Sequence, residues 1–231
     1  MNLLIFASIA VVFLARELYV AYYIYKMRRE YCRYYEISAM SVPTLPYRMV
    51  KRMIDIIISL LLCLSILPIM FILLGIIIKL TSKGPVIFKQ KRVGMFTTEF
   101  TCYKFRSMYV NADDKIVIKS SDKRITPIGR FLRKTHLDEF PQFFNVLIGN
   151  MSVVGPRPLL KKEFEQFRNK KEAYTRLIVR PGITGLAQMK SGRFLPKEDY
   201  LQYDMDYLTK PSLIQDIKLI CQTLKFNDVT C

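Results

Sequence analysis

The chain has 231 residues, 51% of them hydrophobic, and carries 36 Lys and Arg against 19 Asp and Glu, a net charge of +17. So high an apolar content excludes a disordered chain, and the widely spaced Cys32, Cys63, Cys102, Cys221 and Cys231, odd in number and without a CxxC pair, exclude a disulfide scaffold. A single histidine, His136, speaks against a zinc site, and strong positive charge beside greasy segments points to a membrane surface and anionic substrates, or to nucleic acid.

In chain order, the first apolar stretch covers residues 3–25 and is interrupted only by Arg16 and Glu17. No Lys or Arg precedes Arg16, which argues against a signal peptide. The length suits a transmembrane helix of about 20 residues. The tyrosines at its end read as an aromatic belt, and Lys26, Arg28, Arg29 and Arg33 place residue 26 onward in the cytosol. An amphipathic helix lying in the interface is the alternative.

Residues 56–78 form a second, uncharged stretch. Arg48, Lys51 and Arg52 precede it, and Lys79, Lys83, Lys89, Lys91 and Arg92 follow it, so both flanks favour the cytosol. Pro68 lies near its middle, where it removes a helix hydrogen bond. A helix broken at Pro68 that dips into one leaflet and returns fits these flanks, with the Ser65 hydroxyl serving a freed carbonyl. An ordinary kinked transmembrane helix fits the length equally well.

The body that follows is basic: residues 79–134 hold 14 Lys and Arg against 4 Asp and Glu. Residues 85–90, after a Gly84-Pro85 turn, alternate as a strand does, and residues 100–108 make a second extended segment. Lys104 and Arg106 share one face of it, a pattern that suits a phosphate clamp or a solvated edge. Pro141 is tolerated only in a first helical turn, so a helix is expected from Asp138 or Glu139 to Gly149. That places two carboxylates at a helix start, just after Arg130, Arg133 and Lys134. Such a site favours the ionised carboxylate and leaves Asp138 an accessible anion, beyond any role as a cap.

Arg157 sits between Pro156 and Pro158, which stiffen the backbone around a guanidinium suited to bidentate phosphate binding. Residues 161–177 read as one charged amphipathic helix, and the glycine-bearing loop 180–188 as a segment whose amides can approach a phosphate. Ser212 with Gln215 makes a capping box opening a C-terminal helix with Leu213, Ile217, Ile220 and Leu224 on one face.

Taken together, KRMIDIIISL at 51–60, GPVIFKQKRVG at 84–94, KFRSM at 104–108, LDEFPQFFNVLIGNMSVVGPRP at 137–158 and RPGITGLAQ at 180–188 resemble the bacterial sugar transferase family, the monotopic phosphoglycosyl transferases. The resemblance covers about residues 48–226. It implies an α/β fold, mostly α and membrane-associated: a re-entrant helix-break-helix at residues 48–82, with the break at Ser65 and Pro68, and a small cytosolic α/β body at 83–231 with interfacial amphipathic helices. Residues 1–47 would be an extra membrane anchor and basic linker.

The same resemblance implies transfer of a sugar-1-phosphate from a UDP-sugar to undecaprenyl phosphate at the cytoplasmic face of the bacterial inner membrane, with release of UMP, to begin a surface glycan. Asp138 would be the nucleophile that carries the phosphosugar, and Glu139 would hold Mg²⁺. Lys104, Arg106, Arg133 and Arg157 would bind phosphate. No nucleic acid is implied. Two departures stand out: Leu67-Pro68 where the family breaks its helix at Ser-Pro, and Asn150 where it commonly has Asp. A membrane-tethered basic module that binds nucleic acid or anionic lipid is the competing reading, but it gives no reason for the Asp138-Glu139 pair or the rigid Pro-Arg-Pro.

Overall fold

The computed structural model describes residues 2–37, 43–110, 122–191 and 197–225. Helix α1 (Asn2–Tyr34) runs unbroken through Arg16 and Glu17, well past the apolar stretch expected to span a membrane. From Glu17 onward one flank of α1 is fastened to the body. The Arg28 guanidinium donates to the Ile178 carbonyl from Nε at 3.0 Å and from Nη2 at 2.9 Å. Tyr31 is buried with Val93, Phe164 and Ile178, and Tyr35 stacks on Tyr174 at 4.1 Å. The opposite flank leaves Leu18, Tyr19, Tyr22 and Tyr23 exposed. Among the described residues no single helix is long and apolar enough to cross a membrane.

Helices α2 (Leu45–Leu64) and α3 (Ile66–Thr81) pass that test only as a pair, bent by 48°. The bend falls at Ser65 rather than at Pro68. The proline has no N–H to give the Leu64 carbonyl, and its ring crowds that oxygen, so the helical ladder stops one turn ahead of it. The Ser65 hydroxyl donates to the Leu61 carbonyl at 2.6 Å, satisfying one acceptor at the break. Both ends of the pair are tied to the body. Arg52, Asp55 and Ser59 bury the first, and Leu74, Gly75 and Ile78 the second. The far side presents Ile57, Leu61, Leu64, Ile69, Ile72 and Ile76 outward, each more than half exposed.

Strands β1 (Ile87–Val93) and β2 (Glu99–Phe105) form an antiparallel hairpin in which Phe88 faces Lys104 and Arg92 faces Phe100. Helices α4 (Pro127–Lys134) and α5 (Gln142–Leu147) follow. A second small sheet pairs β3 (Ser152–Val154) with β4 (Gly182–Thr184) in parallel, so a crossover connects them, as parallel pairing requires. That crossover holds α6 (Lys161–Glu165), α7 (Lys171–Thr175) and a 3-10 turn at Arg176–Ile178. The single helix expected over 161–177 is thus broken. Lys170 takes an extended conformation, which lets Phe164, Phe167, Ala173 and Leu177 all reach the same core.

Helices α8 (Leu186–Ser191), α9 (Lys197–Thr209) and α10 (Leu213–Lys225) complete the body. The capping contact forms, with the Gln215 amide donating to Ser212 Oγ at 3.2 Å. On α10, Asp216 and Leu219 are buried, whereas Ile217 is 54% exposed. Asp216 turns this face inward because its carboxylate accepts hydrogen bonds from Tyr47, Lys51 and Tyr207, each at 2.8 Å. The side chain of Leu224 lies outside the described residues.

Candidate active site

The two adjacent carboxylates are placed by local backbone chemistry. Helix α4 starts at Pro127, and its N-cap Thr126 accepts from the Gly129 amide at 3.0 Å. The chain leaves α4 through His136, whose φ of +56° turns it sharply. It then makes a 3-10 turn at Leu137–Glu139. Pro141 caps α5, so Asp138 and Glu139 stand on the turn ahead of the helix instead of in its first turn. Leu137 and Phe140 pack on Leu74, Ile78, Phe105 and Leu132, drawing the turn onto the body. Asp138 is only 5% exposed as a result, where the sequence suggested an accessible anion.

Helix α5 is gripped at its far end. The Arg52 guanidinium donates to the Val146 carbonyl at 2.7 Å and the Leu147 carbonyl at 3.1 Å, and lies 3.3 Å from Glu17 of α1. Arg16 donates to the Ile148 carbonyl at 3.5 Å and Arg180 to the Gly149 carbonyl at 2.9 Å. Gly149 takes φ +97°, the left-handed exit that glycine supplies. Burial and the nearby Arg52 push Arg180 down to about 10, which leaves it charged at neutral pH. Buried Asn145 joins α5 to β2: its amide donates to the Thr101 carbonyl at 2.7 Å, and its oxygen accepts from the Tyr103 amide at 3.0 Å.

This frame brings Lys104 of β2 to Glu139, with Nζ 2.5 Å from Oε1. Arg157 approaches the same oxygen at 4.0 Å. Arg92, Cys102, Lys104, Glu139, Gln142 and Arg157 line one small cleft, which Ile183 and Gly182 close from the side of β4. Three cations and a carboxylate on one concave surface suit a diphosphate, whose negative charge the cations can neutralise. Cys102 is the other nucleophile type on this cleft. Burial raises its thiol above the usual range, so it stays protonated and weakly reactive.

Two expected phosphate ligands are placed elsewhere. Arg106 is buried under the end of α3, where its guanidinium donates to Lys83 at 2.6 Å, Ser82 at 2.7 Å and Ile78 at 3.3 Å, all backbone carbonyls. It anchors the bent pair of α2 and α3 and does not line the cleft. Arg133 donates from Nε to Ser107 Oγ at 2.8 Å, one turn back along α4 from the carboxylates. Arg92 and Gln142 were not singled out from the sequence as site residues. In the sequence Arg92 reads as flanking charge of the apolar segment, and its alternation with Gln90 on a strand is the signal that could have found it.

Among the described residues no group of three or more His, Cys, Asp or Glu side chains could hold a metal ion. Mg²⁺, however, is commonly held through one or two carboxylates together with substrate phosphates. Glu139, a carboxylate on a cleft lined by three cations, fits that mode of binding.

The family model described as bacterial sugar transferase matches residues 46–227. The UDP-glucose:undecaprenyl-phosphate glucose-1-phosphate transferase of Klebsiella pneumoniae is 47% identical over 182 residues, 75% of this chain and 39% of that protein. The protein of the same name from Escherichia coli (strain K12) is 43% identical over 185 residues, 77% of this chain and 40% of that protein. The chain therefore spans about two fifths of the length of these two relatives. It also matches the uncharacterized sugar transferase EpsL of Bacillus subtilis (strain 168), 38% identical over 176 residues, 76% of this chain and 85% of that protein.

Proposed function

The chain belongs to the bacterial sugar transferase family, and from that premise we propose that it transfers a sugar-1-phosphate from a UDP-sugar to undecaprenyl phosphate. The observation that carries this reading is the carboxylate pair of the 137–139 turn set beside a cleft lined by Arg92, Lys104 and Arg157. In the first step an Asp138 carboxylate oxygen attacks the β-phosphorus of the donor. The bond from that phosphorus to the bridging oxygen breaks, and UMP departs with the oxygen and its electron pair. In the second step a phosphate oxygen of undecaprenyl phosphate attacks the aspartyl phosphorus, and the Asp138 carboxylate is restored.

Three groups on the cleft have a part in that scheme. Lys104 and Arg157 neutralise charge as it builds on the phosphoryl oxygens and on the departing UMP. Glu139 would hold Mg²⁺ jointly with the donor diphosphate, and the ion supplies further charge neutralisation there. The burial of Asp138 has a use in this scheme: an acyl phosphate formed there is screened from water, so hydrolysis competes poorly with transfer.

The test is a single-turnover mixture of the detergent-solubilised protein, Mg²⁺ and a UDP-sugar without lipid acceptor. UDP-glucose, the donor in the names of two relatives, is the first to try. UMP is expected in an amount limited by enzyme, with label from the sugar phosphate retained on protein. Release of UMP only when the lipid is present would replace the two-step scheme with direct transfer.

The same proposal places the protein on the cytoplasmic face of a bacterial inner membrane, with α2 and α3 re-entrant. Its support is that both ends of the bent pair fasten to one body and both flanks are basic. A straight span would carry one end about 30 Å away from the other across the hydrocarbon. Single cysteines at the exposed positions of Val50 and Lys83 in an otherwise cysteine-free protein should both resist an impermeant reagent added outside the cell. Labelling of one and not the other would establish a spanning helix.

A further inference from the structure

The Pro156-Arg157-Pro158 loop is held by its carbonyls. Four in succession each accept one hydrogen bond, from donors in β1, β4 and the 3-10 turn at Arg176–Ile178. Pro156 accepts from the Gly182 amide at 2.8 Å and Leu159 from the Val93 amide at 2.9 Å. Between them, Pro158 accepts from Arg92 Nη1 at 2.8 Å and Arg157 from Arg176 Nη2 at 2.7 Å. Main-chain amides serve the outer two carbonyls and arginine side chains the inner two. Arg176 is itself paired with Asp204 of α9, Nη2 to Oδ2 at 2.6 Å, and the two side chains are 1% and 2% exposed. Neither faces the cleft.

A buried ion pair is a poor way to gain stability, because the desolvation of both charges offsets most of their attraction. Its geometry here is directional. One guanidinium nitrogen, Nη2 of Arg176, joins a helix carboxylate to the main chain of the residue whose side chain meets Glu139. We propose that Arg176 and Asp204 are positioning residues: the pair fixes the carbonyl of Arg157 so that its guanidinium stays aimed at the cleft beside Glu139. This rests on the transferase reading above and adds two residues that touch no substrate. Asp204 orients Arg176, Arg176 holds the loop, and Arg157 alone contacts phosphate.

The test is a double-mutant cycle, which isolates coupling between residues that act through one another. Arg176→Lys keeps a cation but ends one bond short of Nη2, the nitrogen that meets both acceptors. It should lower turnover of the UDP-sugar about tenfold in the otherwise native protein. In an Arg157→Lys background, itself about tenfold slower, the same change should cost less than twofold, because the guanidinium being aimed is already gone. Asp204→Asn provides an independent second arm with the same expectation.

Equal losses in both backgrounds would show that the pair acts on the fold and not through Arg157, and would overturn the proposal. So would loss of a cooperative melt in both variants, which would make the pair a structural support. Absence of any turnover by the native protein would instead refute the transferase reading itself.

Discussion

Asp138→Asn is expected to abolish the labelled adduct and to lower turnover by at least about a thousandfold, the scale on which removal of a nucleophile acts. The amide is nearly isosteric with the carboxylate but carries no negative charge and attacks phosphorus poorly. Asp138 is 5% exposed on a turn drawn down by Leu137 and Phe140, so a change of shape there would disturb packing, whereas this change preserves it. The melting temperature should therefore stay close to native while chemistry is lost. UMP release, adduct mass and thermal melting, measured on one preparation, separate these effects. An adduct that forms at the native rate would mean that another group attacks the donor.

Gly182→Ala should be among the most damaging small substitutions. A Cβ built on Gly182 lies 2.1 Å from the Gly155 amide nitrogen, 2.4 Å from the Thr184 carbonyl oxygen and 2.6 Å from the Gly155 carbonyl oxygen. All three are main-chain atoms, so no side-chain rotation relieves the overlap. The strands β3 and β4 must move apart, and the bond from the Gly182 amide to the Pro156 carbonyl goes with them. Overpacking of this kind costs about 3 kcal/mol or more, which corresponds to a fall of about 10 °C in a chain of this size. Activity should fall further than stability, because the loop that carries Arg157 loses one of its four carbonyl anchors. An unchanged melt would show that the two glycine loops do not approach so closely in solution.

These two predictions draw unequally on sequence and on structure. Asp138 is legible from neighbours alone: a carboxylate pair after a run of cations, ahead of a proline that can only begin a helix. The hairpin of β1 and β2 is legible from alternation, and the bent pair from an uncharged run holding a proline. Gly182 is visible as a glycine in a proline-bounded loop, but nothing near it in the chain says that Gly155 will lie against it. Their contact joins loops 27 residues apart.

Sequence by itself determined the family, the carboxylate pair ahead of Pro141, the apolar segments and the stiff loop around Arg157, because each depends on residues within a few positions of one another. Capping, proline geometry and hydrophobic period act over one or two turns, and they can be read locally. Tertiary structure decided what each arginine does. Arg52, Arg92, Arg106, Arg157 and Arg176 are the same side chain in the sequence. One caps α5, one holds Pro158, one closes α3, one meets Glu139 and one holds Arg157. A guanidinium's partner is whichever carbonyl or carboxylate the fold carries within about 3 Å. For Arg92 that carbonyl is 66 residues away along the chain, and for Arg52 it is 94. No local pattern encodes such a distance, so only the packing of α5, β1 and the crossover helices separates the arginine beside Glu139 from those that hold its loop in place.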